Sequence, residues 1–330
     1  KNVHNTLFTF LQHKEGWGGL MKILVTGGAG FIASHLVDNL IAKGHDVIIV
    51  DNLSTGREEN INPKSRFYKV DICNAAALAD IFDKERPDVV NHHAAHADVR
   101  KSVEMPAYDA NINILGSLNL CQLSMKYQVK KFIYASTGGA VYGEPKRMPV
   151  TEESPIEPLS QYGVSKHTVE HYLSVFNKLY HMNFTILRYP NVYGPRQSPY
   201  GEAGVVAIFS EHILNNKRPT IFGDGSKTRD YVFVADIIEA NLKALEKEGN
   251  GEIFNLGWGL EISDLAVFQA IRDALNSKIE PIFGNKRNGE IERICLDSTK
   301  AMKMLHWTPK ISFKEGIKLA THYYKQLNSA

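Results

Sequence analysis

This chain of 330 residues is short of several things, and each shortage excludes a class of protein. It has three cysteines, Cys73, Cys121 and Cys295, widely spaced and with no C-x-x-C pair. An odd, dispersed set builds neither a disulfide framework nor a thiolate zinc site, and it fits a reducing cytosol, so a cytoplasmic protein is expected. No apolar run approaches the ~18 residues of a membrane helix, so no membrane partner is expected. Neither sign of charge dominates: 38 Lys and Arg stand against 36 Asp and Glu, for a net charge of +2. That balance gives no electrostatic reason to expect nucleic acid as a partner. Internal repeats and low-complexity tracts are missing as well. What remains is 43% hydrophobic and 22% charged, the composition of a globular chain with a real core. The length corresponds to one large or two modest domains.

The first twenty residues, KNVHNTLFTFLQHKEGWGGL, are expected to be an extension without a catalytic role. Their apolar run LFTFL is too short for a signal peptide, and MKILVTGG from Met21 reads as a natural start. From there, short apolar runs alternate with amphipathic stretches. Strands are predicted at 22–26, 46–51, 66–70, 88–92, 131–136 and 184–189. ILV and VIIV are nearly continuous apolar runs, as in a parallel sheet covered on both faces. The fold class is therefore α/β, a doubly wound parallel sheet of Rossmann type. After residue 190 the rhythm changes. PNVYGPRQSPYGEAG is a long loop, followed by helices near 205–216, 234–247, 263–276 and 313–327 and a strand at 220–222. The expected division is a nucleotide-binding domain over 21–189 and a smaller C-terminal α/β substrate domain over 190–330, with interleaving at the boundary.

TGGAGFIASH follows the first strand and opens the first helix. Gly27, Gly30 and Ala33 make a G-x-x-G-x-x-A pattern. One glycine serves the tight turn, the next lets the backbone approach a pyrophosphate, and a small third residue packs helix on strand. The helix N-terminus offers unpaired N–H groups to the phosphates. Asp51 ends the second strand, twenty-four residues after Gly27. A carboxylate there accepts from a ribose diol and repels a 2′-phosphate, which favours NAD over NADP. A glycine turn can be purely structural, but here strand, helix and acid stand in the required order.

In SQYGVSKHTVEHYLSVF, Tyr162 and Lys166 are four apart and share one helix face. An ammonium beside a phenol favours the phenolate, which can then take a proton from a substrate hydroxyl. The spacing alone is met equally by a surface Tyr and Lys. Taken together, TGGAGFIASH, Tyr162-x-x-x-Lys166 and LRYPNVYGPRQ resemble the extended short-chain dehydrogenase/reductase family, and within it the nucleotide-sugar 4-epimerases. The resemblance runs from Met21 almost to the C-terminus. It implies NAD-dependent inversion at C4 of a UDP-sugar, with UDP-glucose and UDP-galactose as the pair. UDP-glucuronate or UDP-N-acetylglucosamine is the alternative, decided by the pocket near Ile294. A non-catalytic dinucleotide sensor is the alternative of another class, and such proteins typically lose the Tyr/Lys pair.

The resemblance also implies roles for individual residues. Gly27, Gly30, Phe31 and Ile32 would form the pyrophosphate turn. Asp51 and Asn52 would contact the adenosine ribose, and Asp71 and Ile72 would flank adenine. Ala94, Ala95 and Asn111 would line the cofactor, and Tyr189 and Asn191 would line cofactor and sugar diphosphate. Tyr162 would be the general base and Lys166 its tuner and nicotinamide-ribose ligand. Val205 and Val206 would open the helix on the uracil side, Phe222 would be a base-side aromatic, and Arg229 and Arg287 would clamp the diphosphate bidentately. A homodimer through the helix bearing Tyr172, Phe176 and Tyr180 is implied too.

One departure stands out. The family usually places Ser or Thr two positions beyond Ser136, and this chain has Gly138 there. Thr137 is the expected substitute. Gly138 and Gly139 also supply no carboxylate, which family dehydratases need for elimination. The histidines of NHHAAH, His92, His93 and His96, lack a carboxylate or Cys to complete a ligand set, so packing is expected and no metal. Glu152, Glu153 and Glu157 read as solvated loop charge.

Overall fold

The computed structural model describes residues 19–200, 204–286 and 291–328. Six strands follow the apolar runs: β1 (Lys22–Thr26), β2 (Asp46–Asp51), β3 (Arg66–Lys69), β4 (Val89–His92), β5 (Lys131–Thr137) and β6 (Phe184–Tyr189). They pair in the order β3-β2-β1-β4-β5-β6, all parallel. A seventh parallel strand, Glu252–Asn255, pairs beside β6. The strand order reverses between β1 and β4. In an open α/β sheet, ligands bind outside the carboxyl ends of the strands at such a reversal.

Alternate strand residues enter two separate cores. Ile23, Val25, Val47 and Ile49 face one side, while Leu24, Ile48, Val50 and Tyr134 face the other. Burial on both faces is why these strands read as unbroken apolar runs. The first core takes α1 (Phe31–Ala42). The second takes α2 (Ala75–Glu85). Two short helices, α3 (Val99–Glu104) and α4 (Pro106–Ala110), then lead through a π-helical turn, Asn111–Gly116, into α5 (Ser117–Lys126). A single turn, α6 (Gly138–Val141), follows β5 directly, and α7 (Gln161–Tyr180) packs on the second core.

Beyond β6 the elements are shorter. Helices α8 (Val205–Leu214) and α10 (Asp264–Ala274) pack with the closing helix Phe313–Asn328. Helix α9 (Val234–Lys243) lies instead on α1, and Glu252–Asn255 extends the main sheet, so the later chain returns to the first core. That strand escapes the sequence reading because EIFN is four residues between Gly251 and Leu256, too short for periodicity to register. Small strand pairs complete this part: Tyr231–Phe233 with Asn191–Tyr193, Thr228–Arg229 with Ile262–Ser263, and Ile282–Gly284 with Thr220–Phe222. A third apolar cluster, with Val141, Tyr142, Val150, Ile294 and Leu296, joins α6 to the segment after residue 290.

Candidate functional site

The β1–α1 turn is set by close backbone approach. Gly27 has φ +70°, and a Cβ there would lie 2.8 Å from the Ala94 backbone nitrogen. Any other residue would strain the turn and push it off the end of β4. Thr26 locks the two strand ends together: its hydroxyl oxygen accepts from His93 N at 3.2 Å and Ala94 N at 3.1 Å. Gly30 caps α1 without a side-chain hydrogen bond, and the first intrahelical bond runs from Ser34 N to Gly30 O at 3.1 Å. The N–H groups of Phe31, Ile32 and Ala33 thus lack intrahelical acceptors, the arrangement that receives a diphosphate.

Asp51 ends β2 in a buried position. One oxygen accepts from Ala29 N at 3.0 Å and the other from Leu53 N at 2.8 Å. Burial pushes its carboxyl up, while those two hydrogen bonds oppose the shift. Each oxygen keeps a lone pair for a ribose hydroxyl. Asn52 Nδ2 donates to Asp71 Oδ2 at 2.8 Å, and Cys73 N donates to Asp71 Oδ1 at 2.8 Å. Ile72 packs against Gly116, where a Cβ would come within 2.7 Å of it. Asn111, opening the π-helical turn, lies 3.5 Å from Cys73 Sγ. The turn therefore carries Asn111 to the Asp71–Cys73 segment, while Ala94 and Ala95 follow β4, the Ala94 backbone lying against Gly27. These residues fit a dinucleotide with an unphosphorylated adenosine ribose.

At the other end stands α7, capped by Ser160, whose Oγ accepts from Gly163 N at 3.2 Å. Tyr162 lies in the first turn, and its N–H donates to Ser102 Oγ of α3 at 3.1 Å. Lys166, one turn on, is buried with its Nζ 4.4 Å from the Tyr134 ring centroid. Burial pulls its ammonium down to about 7, and Glu170 and Asp109 push the other way. Asp109 is fully buried and accepts from Ser165 Oγ at 2.6 Å and Asn113 Nδ2 at 2.8 Å. Glu170 accepts from Arg188 Nε at 3.0 Å and Nη2 at 2.5 Å, and from Ser136 Oγ at 2.5 Å. Burial, the largest single influence, would raise the Glu170 carboxyl, but the hydrogen bonds from Arg188, His167 and Ser136 and the Arg188 charge together outweigh it and hold it at about 2. Sequence reasoning missed this support. Its one signal is Glu170 at i+4 from Lys166, on the same helix face.

The network decides which hydroxyl is left at the end of β5. Ser136 is committed to Glu170. Thr137 Oγ1 and Asn191 Oδ1 instead converge on Gly139, lying 3.8 and 3.5 Å from where its Cβ would be. A Cβ at Gly138 would meet the methyl groups of the Leu296 side chain, so a larger residue there requires Leu296 to turn aside. The usual Ser or Thr at this position is incompatible with Leu296 as placed.

The histidines at the end of β4 are packing groups. Burial, helped by the Lys166 charge, lowers both His92 and His93, the latter to about 3, so both are neutral. His92 contacts Thr26 Oγ1 at 2.7 Å and Ser117 Oγ at 2.8 Å. His93 Nε2 lies 3.0 Å from the Tyr189 hydroxyl, which also accepts from Asn241 Nδ2 at 2.7 Å. Tyr189 is therefore a buried support beneath the crevice. Among the described residues no cluster of three His, Cys, Asp or Glu side chains is arranged to hold a metal.

On the substrate side, Asn191 N donates to Asp230 O at 2.9 Å. Phe222 lines a cleft of about 280 Å³ with Lys227, Lys286 and Glu292. Arg229 reaches that cleft's wall through Glu292, its Nη1 lying 2.8 Å from Thr228 O and 3.5 Å from Glu292 O. Val205 and Val206 open α8, with Val206 in the core and Val205 packed against it. Arg287 lies outside the described residues.

The sequence profile of the NAD dependent epimerase/dehydratase family matches residues 23–257. The chain is 49% identical to a putative UDP-glucose 4-epimerase of Methanocaldococcus jannaschii over 306 residues, 93% of this chain and 99% of that protein. It superposes with a TM-score of 0.92 on UDP-glucose 4-epimerase of Thermotoga maritima, solved with UDP-glucose, at 49% identity over 93% of this chain and 99% of the other. The NAD complex of UDP-glucose 4-epimerase from Thermus thermophilus gives a TM-score of 0.89 at 42% identity, over 92% and 99%.

Proposed function

The chain belongs to the NAD-dependent epimerase/dehydratase family, and from that membership we propose that it interconverts UDP-glucose and UDP-galactose by inverting C4 of the sugar. One observation carries the reading. Tyr162 and Lys166 lie one turn apart at the start of α7, Lys166 lies over the Tyr134 ring of β5, Thr137 ends that strand, and positions 138 and 139 supply no carboxylate, which together support the reading. A site with a base and no acid for elimination can oxidise C4 and reduce it again.

NAD held by the Gly27–Gly30 turn and Asp51 would supply a reversible hydride acceptor for C4. The protein's own part is proton handling and orientation. Tyr162, as phenolate, takes the C4 hydroxyl proton, and the Lys166 ammonium stabilises that phenolate. Thr137 and Asn191 bracket the alcove at Gly139 and orient the C4 hydroxyl. The resulting 4-keto sugar turns about its diphosphate link and presents its opposite face, and Tyr162 then returns the proton. Arg229 at the cleft holds the diphosphate while the sugar turns, and Phe222 packs on the base. Ile294 lies in an apolar cluster with Val141, Tyr142 and Leu296, which supports a neutral hexose over a uronate. Val164, Tyr172, Val175 and Leu179 are exposed on the outer face of α7, which supports a homodimer through that helix.

Tyr162→Phe tests the proposal. Loss of general-base catalysis lowers kcat by roughly 10²–10⁴-fold. Bound NAD, measured after heat release, stays at the wild-type level. A variant that keeps wild-type turnover contradicts the assignment.

A further inference from the structure

Helix α7 carries a second chemistry-bearing pair that the epimerase reading leaves unused. His167 and His171 are one turn apart, and their Nε2 atoms face each other at 3.0 Å. His167 Nδ1 lies 2.9 Å from Glu170 Oε2. Because Arg188 holds Glu170 ionised, its carboxylate can only accept, so His167 Nδ1 carries the proton. In the neutral ring Nε2 is then the lone-pair nitrogen, and His171 Nε2–H donates to it. A carboxylate behind one imidazole nitrogen with the lone pair of the other turned outward is the outer-sphere arrangement of metal-binding histidines.

We propose that His167 and His171 form a two-histidine chelate for a tetragonal divalent transition metal, Cu(II) or Ni(II), with water in the remaining positions. The metal takes the place of the proton now shared between the two Nε2 atoms. His171 retains a proton on Nδ1 instead, and no net backbone change is needed because both ligands are on one helix. The approach of the two Nε2 atoms is compatible with a cis pair: with metal–nitrogen bonds of about 2.05 Å, nitrogens 3.0 Å apart subtend about 94° at the metal. Imidazole nitrogen suits Cu(II) and Ni(II), and divalent affinity peaks at Cu(II), which favours that class of ion. The pair lies about 80° around the helix from the centre of the exposed apolar stripe of Val164, Tyr172, Val175 and Leu179. Lys178, two turns beyond His171 on the same side, is exposed and too far along the axis to occupy the chelate.

The experiment uses the full, untagged chain in its native assembly at neutral pH. Cu(II) and Ni(II) are titrated by calorimetry, and the first equivalent of Cu(II) is followed by electron paramagnetic resonance. One ion per chain at micromolar free metal is expected, with superhyperfine splitting from two nitrogens and a tetragonal spectrum. His171→Ala removes one ligand and touches neither Glu170 nor Lys166, so it weakens that site at least tenfold and leaves a single-nitrogen spectrum. His322→Ala, at an exposed histidine on the closing helix, leaves binding unchanged. Unaltered affinity in His171→Ala overturns the proposal, and so does the absence of a first equivalent with two nitrogens. Either result is independent of whether the chain turns over a UDP-sugar.

Discussion

In the proposed mechanism proton handling at C4 turns on Thr137, because its neighbours are already engaged. Ser136 donates to Glu170, and Gly138 packs against Leu296. Thr137→Val therefore lowers kcat by roughly 10²-fold, whereas Thr137→Ser, which keeps the hydroxyl, stays within a few-fold of wild type; steady-state kinetics on both separates a hydroxyl role from a packing role. Lys166 gives a prediction with a sign. Its folded-state value of about 7 is below the ordinary lysine value, so burying the charged form destabilises the fold. That penalty is full below pH 7 and fades as pH rises toward the unfolded value, because the unfolded chain holds a proton the folded one has released. Lys166→Met, without added cofactor, therefore raises Tm most at pH 6–7. The gain shrinks by about 1.4 kcal/mol for each pH unit above that, as thermal melts across pH 6–10 will read. Much of this was legible. Tyr162 and Lys166 share a helix face by arithmetic, and Gly27 stands where a turn must tighten. The contact of Gly138 with Leu296 was not legible, since Leu296 lies 158 residues further along the chain and only tertiary packing brings it there.

Helix α7 is the element that links catalysis to the sheet. It presents Tyr162 and Lys166 at its N-terminal end and Glu170 one turn later, and Glu170 bonds both β5, through Ser136, and β6, through Arg188. Arg188 and Glu170 are each only 2% exposed, so removing one partner strands the other's charge in the core. Glu170→Ala should cost about 3–5 kcal/mol of stability by denaturant unfolding, well beyond an ordinary surface substitution. The six strands up to β6, α1, α7 and the longer helices of the later chain were readable because each is a continuous apolar run or an amphipathic repeat, whereas the short helices packed against α7 were not. The strand Glu252–Asn255 was not, and neither was the Asp109–Ser165 bond that braces α7 against α4. Such contacts join residues that periodicity treats as unrelated.

For the whole molecule, the sheet's reversal between β1 and β4 brings the glycine turn, Asp51 and the end of β4 together, and in the proposed function the later chain supplies Asn191, Phe222 and Arg229 to the substrate. Among the described residues no helix is long and apolar enough to cross a membrane. The proposed mechanism regenerates the cofactor on every turnover, so it consumes no external oxidant. Purified protein given UDP-galactose, with no cofactor added and the nucleotide sugars then separated by chromatography, measures this directly. UDP-glucose is expected to accumulate to an equilibrium mixture with no net absorbance change at 340 nm. UDP-galactose recovered unchanged, even after NAD is supplied, would contradict the proposed mechanism.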